Sequence, residues 1–65
     1  MAPVKPDVEV ENEGTLFLFQ TYTPAVRAWF DAHTDAPRMG DAYAVGHRYA
    51  WDIVKALIHD GFTVE

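Results

Sequence analysis

A small α+β fold, with two helices packed on one face of a three- or four-stranded sheet, is what three features of this 65-residue chain predict. The run Gly14-Thr15-Leu16-Phe17-Leu18-Phe19-Gln20-Thr21-Tyr22 has the period and residue types of a strand. Two later segments, opened by Thr23-Pro24 and by Gly46-His47-Arg48, carry apolar residues at helical spacing. Between them lies a short apolar stretch, Ala42-Tyr43-Ala44-Val45, giving the order β-β-α-β-α, with room for a final short strand.

Residues 1–7 hold Pro3 and Pro6 without periodicity and read as a flexible arm, which leaves one domain over 8–65. Val8-Glu9-Val10-Glu11 alternates apolar and acidic, as an edge strand with one wet face does. Asn12-Glu13-Gly14 supplies turn chemistry, so this strand and the Thr15–Tyr22 strand form a hairpin. Thr23 can cap a helix with its hydroxyl, and Pro24 at the first helical position gives up an N–H that had no partner there. That helix runs to about His33, with Ala25, Val26, Trp29, Phe30 and His33 on one stripe and Arg27 and Asp31 opposite. Thr34 to Asp41 reads as a loop, and Gly46 ends the next strand. A helix so placed between the second and third strands suggests a parallel crossover.

The second helix spans roughly Arg48 to His59. Tyr49, Ala50, Ile53, Val54, Leu57 and Ile58 form a wide apolar arc, with Tyr49, Ile53, Val54 and Leu57 expected against the sheet and Asp52, Lys55 and His59 outside. Trp51 lies at the rim of that arc beside Ile58, where it either closes the core or extends an adhesive surface. Asp60-Gly61 is a helix stop, Phe62 can fold back on the last turn, and Phe62-Thr63-Val64 can add a short strand.

Composition narrows the functional classes. Ten acidic groups against five basic ones give a net charge of −5, which disfavours phosphate backbones and anionic membranes. No run approaches a membrane span of about 18 apolar residues, and the N-terminus lacks the apolar core of a signal peptide, so the expected location is cytoplasmic. Cysteine and serine are both absent, removing the two commonest nucleophiles and Cys-ligated metals. Asp31, Asp35, Asp41 and Asp60 sit where carboxylates serve turns and solubility, so no enzyme and no cofactor are expected. His33, His47 and His59 are at least twelve residues apart without a ligand pattern, and His33 and His59 suit helix ends. Gly46, His47 and Arg48 at a helix start form a possible anion site, although no phosphate-loop glycine pattern surrounds them.

The opening strand is apolar on both faces, Leu16 and Leu18 on one and Phe17 and Phe19 on the other. Two helices roof only one face. The pair left over needs a second subunit, a partner, or the N-terminal arm with Val4, Val8 and Val10. Phe17, Phe19 and Trp51 are therefore the expected interface residues.

Gly14 to Phe19, Thr23-Pro24-Ala25, Trp29, Arg48-Tyr49, Ile53 and Asp60-Gly61 together form a frame. It resembles a group of small uncharacterised proteins of bacterial and phage genomes, a resemblance that implies the fold and no activity. The expected function is that of a small non-enzymatic interaction or regulatory protein, acting as a homodimer or on a protein partner through the open sheet face. One alternative is an acidic inhibitor or nucleic-acid mimic of the kind mobile elements carry, using Glu9, Glu11 and Glu13. Another is an anion- or nucleic-acid-binding module built on His47-Arg48.

Overall fold

A computed structural model describes residues 5–65. Its elements are β1 (Val8–Asn12), β2 (Leu16–Thr21), α1 (Pro24–His33), β3 (Arg38–Met39), β4 (Ala42–Gly46) and α2 (His47–His59). The strands make one antiparallel sheet in the order β1-β2-β4-β3, and the fold is α+β as the sequence predicts. The β1–β2 hairpin closes through its turn residues. Asn12 Oδ1 accepts from the Gly14 N–H at 2.9 Å, Gly14 takes a φ of 90°, and the Glu13 N–H donates to Leu16 O at 2.9 Å.

The expected parallel neighbour of β2 is corrected. β2 pairs with β4 antiparallel, Phe19 opposite Tyr43. The segment read as a loop contains β3, and β3 is the strand to which α1 returns the chain. Being antiparallel to β4, β3 runs parallel to β2, one position removed. The chain then reverses over Gly40-Asp41, with Gly40 at φ 65°, and β4 slots between the two. A two-residue strand between Pro37 and Gly40 carries no periodicity to read. The Asp41 carbonyl accepts both the Thr21 N–H at 2.9 Å and the Thr21 hydroxyl at 2.6 Å, which holds this turn to the end of β2.

β1 ends the sheet, as expected of an edge strand, but part of its outer edge is covered. The C-terminal segment lies parallel beside it, with bonds from Val8 N–H to Thr63 O, from Glu65 N–H to Val8 O and from Val10 N–H to Glu65 O. Packed structure begins before Val8: Pro6 is buried, Asp7 O accepts from Tyr22 N–H, and Asp7 Oδ2 accepts from Thr63 N–H. The rest of the expected arm, including Val4, lies outside the described residues. Val8 and Val10 share the helix-side face with Phe19 and Thr21, their partners in register, so they do not cover the far side.

Thr23 Oγ1 accepts from the Val26 N–H at 3.3 Å with Pro24 in the first turn, as the sequence predicts. α1 buries Val26, Trp29 and Phe30, while Ala25 and His33 of the expected stripe are exposed. Arg27, expected opposite, is half-buried and donates from Nε to Thr21 Oγ1 at 3.2 Å, with Asp41 Oδ1 at 3.6 Å. In the core, Phe30 stacks on Tyr43 at 4.5 Å and tilts against Phe19 at 5.6 Å. The Tyr43 hydroxyl donates to Asp31 Oδ1 or Arg27 O. α2 ends as predicted: Gly61, at φ 92°, donates to Ile58 O and Phe62 to Leu57 O, both at 3.0 Å. These are the two bonds of a Schellman cap.

Candidate interaction surface

α2 carries more apolar surface than one sheet face can cover. Ala50 and Leu57 point into the core and Ile53 and Val54 are half-buried beside them. At about 100° per residue, Tyr49 lies about 80° round from Leu57 on one side, and Trp51 and Ile58 about 100–120° round on the other. Both flanks stay in solvent: Tyr49 is 65%, Trp51 66% and Ile58 58% exposed. The expected burial of Tyr49 is thus corrected. It stands at a second hollow of about 340 Å³, between α2 and the segment after α1.

Trp51, Val54 and Ile58 fall at i, i+3 and i+7, with His47 four residues earlier, so they form one stripe along α2. Beside the stripe an open, mostly apolar groove of about 380 Å³ runs between α2 and the β1 side of the sheet. Val10, Phe17 and Val64 line its sheet side, and Ala50, Trp51 and Val54 its helix side. His47 and Glu65 bring one polar group to each wall. Phe17 reaches the groove because the hairpin register sets it opposite Asn12 and Val45, beyond the part of the sheet that α1 covers.

The three expected interface residues therefore separate. Among the described residues Trp51 is the most exposed large apolar side chain, Phe17 is half-buried in the groove, and Phe19 is enclosed by the chain's own core. The helices cover the Phe face, so Leu16 and Leu18 are the pair on the far side. Leu18 is half-buried and Leu16 only 38% exposed. Their far-face neighbours in register are Glu11, Ala44 and Gly46, a strip of small and acidic residues with little adhesive area. Glu9 and Glu11 point to this face, and Glu13 sits in the hairpin turn.

Gly46 caps α2 without a side-chain bond, and the His47 N–H there is occupied by Thr15 O at 3.3 Å. Arg48 is exposed and forms no ion pair among the described residues. Among the same residues, no group of three or more His, Asp or Glu is placed to hold a metal. No described helix is long and apolar enough to cross a membrane.

A polar cluster ties the end of α1 to the end of α2. The Trp29 indole N–H donates to Asp60 Oδ2 at 2.6 Å. His33 stacks on the Trp29 ring at 4.4 Å and donates from Nδ1 to Trp29 O at 2.9 Å, while His59 Nδ1 lies 3.4 Å from Asp60 Oδ1. His33 thus serves the α1 terminus, as expected of it. The Trp29 bond first, and the His59 bond second, hold the Asp60 carboxyl below its ordinary value. Every member has a structural partner, so the cluster acts as a fastener between α1 and α2.

These elements define a small α+β domain with exposed apolar surface on both flanks of α2. No family model, curated protein or solved structure matches the chain.

Proposed function

We propose that this chain is a protein-interaction module that works, without catalysis of its own, through the groove and stripe of α2. The observation that carries this reading is the pair Trp51 and Ile58, 66% and 58% exposed on one stripe of α2, of which Trp51 lines an open apolar groove. Apolar patches of this kind, and aromatic residues above all, mark surfaces that proteins bury in each other. The acidic balance keeps such a surface in solution without inviting nucleic acid. A reducing compartment such as the cytoplasm suits a chain without cysteine. A regulatory or accessory role among small bacterial or phage proteins is the setting that the resemblance of the frame suggests.

The test is a photo-crosslinking amino acid placed at position 58, with position 16 on the far sheet face as comparison, in cells that make the protein. A discrete protein adduct from position 58 and none from position 16 is expected, whatever the mass of the captured protein. Adducts from position 16 alone, or from neither, would remove the reading.

A further inference from the structure

Resting on that reading, we infer that the occupant of the α2 groove is a second copy of this chain, packed about a two-fold axis along the groove. A two-fold interface must be complementary to itself, and this patch is. It offers a protruding apolar side chain, Trp51, directly beside an apolar hollow of about 380 Å³. An axis along the groove lays the helix wall of one copy on the sheet wall of the other. Trp51 of each copy then enters the hollow between Phe17, Val10 and Val64 of its mate.

Charge supports the same operator. Arg48 and Lys55 lie about 40–60° round from Trp51 on the side away from Ala50, at about 100° per residue, both exposed, Lys55 beside Asp52 at 3.8 Å and Arg48 without an ion pair among the described residues. The exposed Glu65 lies on the opposite wall. The axis that inserts Trp51 also brings the cations of one copy toward Glu65 of the other. A basic partner would instead be matched by a uniformly acidic rim, which this groove lacks. The −5 charge of each copy acts over distances that physiological salt screens beyond about 8 Å.

The area available sets the strength. A Trp side chain contributes ~150–250 Å² when buried, while a stable interface takes about 800 Å² from each partner, roughly a sixth of the 4518 Å² surface of this chain. Trp51, Ile58 and the groove together fall short of that, so the dimer should be weak, dissociating on the order of tens to a hundred micromolar.

Sedimentation equilibrium from 1 to 500 µM tests this on wild type, Trp51→Glu, Ile58→Lys and Leu18→Glu, with circular dichroism to confirm folding. Wild type and Leu18→Glu should approach twice the chain mass, while Trp51→Glu and Ile58→Lys stay at the monomer mass or weaken association at least tenfold. Lys55→Glu and Glu65→Lys should each weaken it by up to about fivefold, and an equimolar mixture of the two variants should associate better than either alone. A wild type that remains monomeric to 500 µM overturns the second copy. A position-58 adduct of a different protein would then leave the interaction reading standing. A dimer lost in Leu18→Glu but kept in folded Trp51→Glu overturns the second copy at this groove as well.

Discussion

Leu57 and Ile58 are neighbours in sequence and opposites in environment, and their truncation measures how α2 is seated. Leu57 is fully buried, and replacing such a leucine by alanine costs about 2–5 kcal/mol, the spread depending on how far the site collapses. A chain of 65 residues has a total stability of only about 3–10 kcal/mol. Leu57→Ala therefore removes a fifth or more of it. With a urea slope near 1 kcal/mol/M, as suits a small domain, the midpoint should fall by about 2 M or the protein should unfold outright. Ile58 is 58% exposed, so Ile58→Ala should cost under about 1 kcal/mol in the monomer. Urea titrations at 2 and 200 µM separate the two effects. The Leu57 loss should be the same at both concentrations, and the Ile58 loss should grow with concentration, because dimer formation adds to the stability of wild type and of Leu57→Ala but not of Ile58→Ala. Equal midpoints for the two variants at 2 µM would refute the seating of α2, and with it the position of the groove.

Two further outcomes check the supports of the fold. Thr23→Ala should cost about 0.5–2 kcal/mol and Thr23→Ser much less, since only the hydroxyl that caps Val26 N–H matters; equal losses by denaturant titration would count against the cap. Asp60 titrates below its ordinary 3.8 in the folded chain because Trp29, and then His59, bind its carboxylate, so the unfolded chain takes the proton more readily. Its contribution is therefore fully present above the unfolded value and lost as pH falls through the folded one. Thermal midpoints between about pH 5 and 3 should fall less steeply for Asp60→Asn than for wild type, and parallel curves would contradict the Trp29–Asp60 fastener.

The elements that were legible in the sequence are those with local chemistry. Thr23-Pro24 and Gly61 specify helix ends through bonds within a few residues, and the turn at Asn12-Glu13-Gly14 specifies a hairpin. What stayed hidden depends on pairing at a distance. Arg38-Met39 becomes a strand only because β4 lies beside it, and that landing strand turns the expected parallel neighbour of β2 into an antiparallel one. Phe62-Thr63-Val64, read as a possible short strand, makes a single bridge from Val64 to Val8, and that it lands beside β1 is a pairing no local pattern reports. Which face of β2 the helices cover was open to either pair, and it decides that Phe19 is core while Leu16 and Leu18 face outward. The groove itself had a readable signal: His47, Trp51, Val54 and Ile58 stand at helical spacing. An apolar arc that wide exceeds what one face of a sheet can cover. Phe17, Val10 and Val64 could join it only once the register was known.

The central claim, that the α2 groove is filled by another copy of the chain, is tested most directly by an isotope-filtered NOE experiment. A mixture of ¹³C-labelled and unlabelled protein at several hundred micromolar reports only contacts between copies. The account predicts intermolecular NOEs from the Trp51 indole to the methyl groups of Val10 and Val64. A filtered spectrum with no such contacts, or one whose contacts run instead from Leu16 and Leu18, would contradict it.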